Sequence, residues 1–149
     1  MSEISDIQVI VRLVLSVFLS SLVGLERELR RKGAGLRTHV LVGLSSCLLM
    51  LISIFVAQGF GGEHGFDPGR IAAGVVTGIG FLCAGTIIRF GASIKGLTTA
   101  ASLWAVAALG LAVGSGFYIA ACTTTALILV TLLVLSRFER NVSKTKNGE

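Results

Sequence analysis

The sequence predicts an all-α, polytopic membrane protein, a bundle of about five transmembrane helices, on three observations. Hydrophobic residues occupy 53% of the 149 positions, and the mean hydropathy is +0.86. Charged residues occupy only 14%, against roughly one quarter in ordinary soluble domains. A water-soluble fold of this length would lack the polar residues to cover its surface. The apolar residues are also grouped into stretches close to the roughly 20 residues that a spanning helix needs.

Five such stretches are separated by short polar or glycine-rich breaks, and each is predicted to form a spanning helix. They do not alternate between polar and apolar residues and are rich in Leu, Ala and Gly, which argues against β-strands. Before the third stretch, Asp67 and Pro68 offer a helix cap and a first-turn residue. The five stretches are Ile7–Leu25, Thr38–Ala57, Ile71–Ile88, Leu97–Gly114 and Phe117–Leu135.

The distribution of basic residues predicts the orientation in the membrane. Eleven of the thirteen Lys and Arg residues lie in the first loop, the third connection and the tail, which five spans place on one side. The positive-inside rule then puts the amino terminus outside and the carboxyl terminus in the cytoplasm. We expect residues 1–136 to form one transmembrane domain and residues 137–149 a basic cytoplasmic tail. The net charge of +5 fits attraction to anionic lipid headgroups, and no nucleic-acid partner is expected.

The third stretch is unusually rich in small residues, which predicts that it lies at the centre of the bundle. Gly74, Gly78 and Gly85 fall close to one helix face, with Gly80 beside it. Small residues let neighbouring helix backbones approach closely, and this is their common use in membranes. The alternative is an unwound helix that exposes its backbone to an ion or solute.

The fourth stretch carries a narrower stripe of small residues, which we expect to pack against the third helix. Trp104 lies about 10 Å beyond Leu97 at 1.5 Å per residue, which is deep for an interfacial tryptophan. We therefore expect Trp104 to be buried between helices. The stripe consists of Thr98, Ala101, Ala105, Ala108 and Ala112.

The polar segment between the first two stretches allows two interpretations. In one it is a basic membrane anchor with two helical pairs, Glu26–Arg30 and Glu28–Lys32, each worth a few tenths of a kcal/mol. In the other, Arg37 pairs with Glu26 at reduced dielectric, and the free N–H groups that open the fourth helix help to hold an anion. Thr38 opens the second helix beside this cluster. The basic pocket would then contain Arg27, Arg37, Arg89, Lys95, Thr98 and Thr99.

On the opposite side, Glu63, His64, Asp67 and Arg70 lie within eight residues of one another. Carboxylates and an imidazole would bind a divalent cation weakly, but a helix cap explains Asp67 without a metal. No metal site or cofactor is therefore predicted. Arg12, one turn into the first span, is expected to reach the outer interface or to pair with Asp67. The sequence offers no nucleophile with a base and an orienting partner, so we expect no enzyme activity.

Three ordered motifs resemble the MgtC/SapB family of bacterial inner-membrane proteins, over residues 7–135. They read GLERELRRKGAGLRTHVLVGL, DPGRIAAGVVTGIGFLCAGTIIR and GLTTAASLWAVAALGLAVG. The resemblance implies a five-helix domain in a bacterial cytoplasmic membrane, linked to growth under magnesium limitation and to survival inside host cells. Some members of the family are implicated in restraining the membrane ATP synthase, so its subunits are expected partners.

The resemblance also implies which residues are functional, namely those at the motif positions. Two departures matter: the family usually shows glycine where Cys83 stands and glutamine where Gly74 stands, which weakens a solute path through that point. Many members carry a soluble carboxyl-terminal domain, and we expect any regulation housed there to be missing or supplied by a partner. The motif positions are Glu26, Arg27, Gly35, Arg37, Thr38, Asp67, Arg70, Gly78, Gly80, Gly85, Gly96, Thr98 and Thr99.

Two functions follow as hypotheses. The first is a regulator that docks its small-residue helix faces against other membrane subunits, and it is the favoured one. The second is a small ion or solute transporter or channel, which would need an oligomer because five helices are few to enclose a path. A symmetric homodimer is the default assembly for a small bundle.

Overall fold

The computed structural model describes residues 4–59 and 67–146, with side chains described as far as residue 135. This part of the chain holds five helices, each long and apolar enough to cross a membrane, which confirms the predicted fold class. One short hairpin joins the third helix to the fourth. The elements are α1 (Asp6–Leu29), α2 (Leu36–Gly59), α3 (Gly69–Thr86), β1 (Ile88–Phe90), β2 (Ser93–Lys95), α4 (Leu97–Ser115) and α5 (Tyr118–Lys146).

The helix ends follow local sequence signals. Ser5 and Gln8 form a reciprocal capping box at the start of α1. The Asp67 carboxylate accepts the N–H of Gly69, the first residue of α3, at 2.8 Å, as predicted, although Pro68 occupies the N-cap position and lies just before the first turn. α4 ends at Ser115, and the next residue, Gly116, has a φ of 86° in the left-handed region that glycine adopts without strain. α5 runs without a break through residue 136 into the predicted tail.

Successive helices run in opposite directions, so the charged residues are sorted between two ends of the bundle. Arg12, near the start of α1, donates to the carbonyl of Gly114 at the end of α4. Ser53, near the end of α2, donates to the carbonyl of Pro68 just before α3. We call the end at which α1 and α3 finish and α2 and α4 begin the basic end. Its cytoplasmic orientation stays a prediction.

The centre of the bundle is α4, which packs against α1, α2, α3 and α5. Val106 and Val113 of α4 are fully buried beside Val23 of α1 and Cys47 of α2. Gly110 and Gly114 lie directly against α2. A Cβ at Gly110 would meet the carbonyl of Gly43 and the backbone nitrogen of Cys47, so these two helices touch through their backbones.

The prediction that α3 is the central helix is wrong for this chain. Only Ile79 and Cys83 of α3 are buried, where they pack with Ala34, Ala100 and other α4 residues. Phe81, in the middle of α3, is 83% exposed. A helix that is apolar all round gives no inward face by its pattern, and in a bilayer lipid tails accept apolar side chains as readily as other helices do.

The α4 stripe and Trp104 are corrected for the same reason. α4 does pack against α3, as predicted, but through Ala100, Leu103 and Ala107. Ala101 and Ala108 of the predicted stripe are exposed. Trp104 is 48% exposed on that outward side and is not wedged between helices.

The hairpin between α3 and α4 was not predicted. Ile88 pairs with Lys95 and Phe90 pairs with Ser93 in antiparallel register. Gly91 begins the two-residue turn with a φ of 58°, as type II′ turns require at that position. The third apolar stretch therefore stops being helical after Thr86.

Candidate functional site

A buried ionic group closes α1 at the basic end. Glu26 and Arg27 are 8% and 2% exposed. The Glu26 carboxylate contacts the Nε of Arg27 at 2.5 Å and the Nε of Arg30 at 2.6 Å. The predicted helical pair between Glu26 and Arg30 is therefore confirmed. Two guanidinium groups on one carboxylate leave a net positive charge inside the bundle end.

The predicted pair between Arg37 and Glu26 does not form, because Arg37 is exposed in the first turn of α2. Its neighbours in sequence explain why. Leu36 and His39 face α1, where a Cβ at Gly24 would lie 2.9 Å from the Leu36 Cα and 3.0 Å from the His39 Cβ. Each helical residue turns the direction by about 100°, so Arg37 points away from that contact. Thr38 is exposed as well.

The predicted pair between Glu28 and Lys32 is not seen among the described residues, and Glu28 has a different role that was not predicted. Its carboxylate accepts the N–H of Leu36 at 3.0 Å and so caps the start of α2, where a negative charge also suits the helix dipole. A Cβ at Gly35 would collide with this carboxylate. The available signal was the absence of Ser, Thr, Asp or Asn before α2, which leaves its first N–H groups without a local cap.

His39 is the second missed residue, and it joins α2 to α4. Its side chain is completely buried. Nδ1 lies 2.8 Å from the carbonyl oxygen of Gly35 and Nε2 lies 3.0 Å from the hydroxyl of Ser102. Because a carbonyl oxygen only accepts, Nδ1 carries a proton and donates to Gly35. The Ser102 hydroxyl donates to the carbonyl of Thr99 at 2.8 Å.

The predicted anion pocket is not assembled as one site. Arg27 and Thr99 are buried, whereas the other four members are exposed. Among the described residues, no hydrogen bond or ion pair joins any two of the six side chains. The exposed members are Arg37, Arg89, Lys95 and Thr98.

A line of polar residues crosses the bundle along one face of α1. Ser16 and Ser20 are buried; Ser16 donates to the carbonyl of Gly43 at 2.9 Å, while the Ser20 hydroxyl has no hydrogen-bond partner among the described residues. Arg12 and Arg27 lie at the two ends of the line, 15 residues and so about 22 Å apart. We call this line the α1 polar seam.

At the opposite end of the seam, Arg12 holds the end of α4. Its guanidinium donates to the carbonyl of Gly114 at 2.7 Å and to the Tyr118 hydroxyl at 3.0 Å, and it lies 5.9 Å from the Tyr118 ring centroid. The expected pairing with Asp67 is not seen. Asp67 and Arg70 are exposed, and Glu63 and His64 lie outside the described residues. The described residues contain no cluster of three metal-ligating side chains.

The glycines of α3 form an open surface on the other side of the bundle. A Cβ added at Gly74, Gly78, Gly80 or Gly85 would meet no heavy atom within 4 Å among the described residues, beyond its own helix turn. Gly74, Gly78 and Gly85 lie within about 40° of one another around the helix, on the side of the exposed Phe81. We call these four residues, Gly74, Gly78, Phe81 and Gly85, the α3 open face.

Beside this face, α2 and α3 leave an apolar groove with a volume of about 560 Å³. Leu41, Ser45 and Leu49 line it from α2, and Gly78 and Leu82 line it from α3. The groove is continuous with the α3 open face through Gly78. The chain therefore offers a concave apolar surface that its own described helices do not fill.

Comparison with known proteins gives a consistent result. The sequence profile of the MgtC family matches residues 13–141. The chain is 45% identical over 140 residues to the putative magnesium transporter YhiD of Escherichia coli (strain K12), covering 93% of this chain and 64% of that protein. It is 37% identical over 147 residues to the protein SapB of Bacillus subtilis (strain 168), covering 97% and 63%.

The protein MgtC of Salmonella typhimurium (strain LT2) is 37% identical over 135 residues, covering 91% of this chain and 55% of that protein. The chain thus spans less than two thirds of the length of these relatives. No solved structure gives a significant match.

Proposed function

The chain belongs to the MgtC family, and on that premise we propose that it is a non-enzymatic regulator of adaptation to magnesium limitation. It acts by docking the α3 open face against a helix of another membrane protein. The multi-pass membrane architecture and the magnesium-related name of the YhiD relative support the membrane location and the link to magnesium. The choice of a regulator over a transporter rests on the α3 open face. Bacterial relatives are consistent with a location in the bacterial inner membrane.

The observation that carries the proposal is the empty space beside the three glycines of the α3 open face. Glycine in a helix interior costs about 0.5–1 kcal/mol relative to alanine, and these three glycines make no compensating contact among the described residues. Close approach of a second helix backbone is what small residues in spanning helices provide. Gly110 and Gly114 make such a close helix contact within the same molecule, because α2 lies directly against them.

Site-specific photo-crosslinking from Phe81 tests the docking. A photoreactive residue at Phe81, in membranes of magnesium-limited cells, is expected to give one dominant protein adduct. Gly78→Leu should abolish that adduct, since its side chain would fill the approach. The matched control is Phe55, which is 74% exposed on α2 and should give lipid adducts only. Loss of magnesium-limited growth in Gly78→Leu with the adduct unchanged would show that docking through this face is wrong.

The α1 polar seam favours a second candidate, an oligomeric transporter or channel. Buried hydroxyls in a spanning bundle mark solute pathways as well as packing contacts, and the Ser20 hydroxyl has no partner. Mg²⁺ itself fits this path poorly. Mg²⁺ prefers carboxylate oxygens, and the Glu26 carboxylate beside Arg27 is already neutralised by two arginines.

Flux in proteoliposomes decides between the candidates. The transporter hypothesis predicts protein-dependent flux in a Mg²⁺, phosphate or proton gradient, reduced in Ser20→Ala, which removes the hydroxyl without adding bulk. The regulator hypothesis predicts no flux in any of the three gradients. Absence of flux together with an intact Phe81 adduct would leave the regulator as the surviving proposal.

A further inference from the structure

The β1–β2 hairpin is almost free of the rest of the molecule. All six strand residues are exposed, and neither strand packs substantially on a helix. An isolated two-stranded hairpin is marginal in water because it has no core. Ile88, Phe90 and Ile94 are 51%, 65% and 53% exposed. This hairpin therefore needs a surface that covers its apolar side chains.

Its attachment puts that surface at the edge of the bilayer. The hairpin starts two residues after α3 ends and stops two residues before α4 begins. Its base is closed at Gly96, where φ is 92° and a Cβ would collide with the carbonyl of Thr86. The 18 residues of α3 span about 27 Å, slightly less than the roughly 30 Å hydrocarbon core. Ile87 and Ile88 therefore continue the apolar surface at the membrane boundary.

Each face of the hairpin combines apolar side chains with one cation. The register puts Ile88, Phe90 and Lys95 on one face, with the Lys95 ammonium 6.0 Å from the Phe90 ring centroid. Arg89 and Ile94 lie on the other face. This combination fits the headgroup layer, where apolar and aromatic groups reach toward the acyl chains and cations meet phosphates.

The unpaired backbone groups of the hairpin limit how deeply it can enter the bilayer. Both outer edges of a two-stranded hairpin carry unpaired N–H and C=O groups, which hydrocarbon does not tolerate. Strands of three residues reach about 10 Å, against a headgroup layer of roughly 5–8 Å on each side of the bilayer. A hairpin that lies inclined in that layer therefore keeps its edges out of the hydrocarbon.

We propose that the β1–β2 hairpin is an interfacial anchor whose Arg89 and Lys95 bind the phosphates of anionic lipids while Phe90 and the strand isoleucines lie among the headgroups. The anchor is independent of the docking proposed for the α3 open face. It would fix the rotation and depth of α3, and so the direction in which that face points.

Tryptophan fluorescence tests the anchor. In a Trp104→Phe background, Phe90→Trp supplies a single reporter in proteoliposomes containing brominated phosphatidylglycerol or equally brominated phosphatidylcholine. We expect stronger quenching by the anionic lipid, with the preference falling about fivefold for each cation removed in Arg89→Gln and Lys95→Gln at low ionic strength. Added salt should reduce the same preference.

Two control variants keep the result interpretable. Phe81→Trp reports from the middle of α3, and similar quenching by both lipids there, unchanged by the glutamine substitutions, shows that the bundle remains folded. Arg37→Gln removes a cation from the same end but not from the hairpin, and should leave the Phe90→Trp preference intact. Unquenched, water-like emission would overturn the anchor and point to a protein partner. Equal quenching by both lipids, insensitive to the glutamine substitutions, would overturn the recognition of phosphates.

Discussion

Two pairs of glycines in this molecule have the same spacing and opposite surroundings. Gly74 and Gly78 in α3, like Gly110 and Gly114 in α4, are separated by three residues. A Cβ at Gly114 would lie 2.7 Å from the carbonyl oxygen of Cys47, whereas a Cβ at Gly74 or Gly78 would have no described neighbour within 4 Å. The spacing thus identifies a surface capable of close helix contact, but it does not say whether the partner lies in the same chain.

The largest expected effect comes from replacing a glycine of the α4 pair, which already contacts α2. Gly110→Leu would drive a side chain into the backbone of α2, and we expect it to destabilise the protein by more than about 3 kcal/mol. Gly78→Leu, facing open space, should leave the fold intact. Thermal unfolding of the purified proteins in detergent measures both. Equal destabilisation would mean that α3 is packed as tightly as α4 and would remove the contrast.

An intermediate effect is expected at the Arg12 end of the α1 polar seam. Arg12→Gln loses the charged hydrogen bonds to Gly114 and Tyr118, and should reduce stability by about 2 kcal/mol. Arg70→Gln is the control, because Arg70 is a surface arginine at the same end of the bundle and should change stability by less than about 0.5 kcal/mol. If both variants unfold at the same temperature, Arg12 does not hold the end of α4.

The smallest effect has the opposite sign. Gly78→Ala adds a methyl group in open space within a helix, so we expect it to stabilise the isolated protein by about 0.5–1 kcal/mol. The same substitution should weaken the Phe81 crosslink to a partner. Destabilisation of the purified protein by Gly78→Ala would indicate that a second copy already occupies the face in detergent.

Local signals in the sequence were sufficient for the spans and some caps, while the contacts at the basic end were predicted only in part. The Glu26–Arg30 pair and the Asp67 cap were found because their partners are neighbours in the chain. The bond between His39 and Ser102 joins residues 63 positions apart, and no local pattern indicates it. Arg37 was predicted to face Glu26 of α1. It follows Leu36 by one residue, and that step turns its side chain by about 100°, away from α1.

The sequence by itself determined that the chain crosses a membrane five times, since length and hydropathy are properties of each stretch alone. It also determined that basic residues gather at one end. Only the tertiary structure decided that α4 and not α3 is central, that Trp104 faces outward, and that a hairpin interrupts the third stretch. The physical reason is that lipid removes the difference between inside and outside on which amphipathic patterns depend. What then selects the buried face is the fit of one backbone against another.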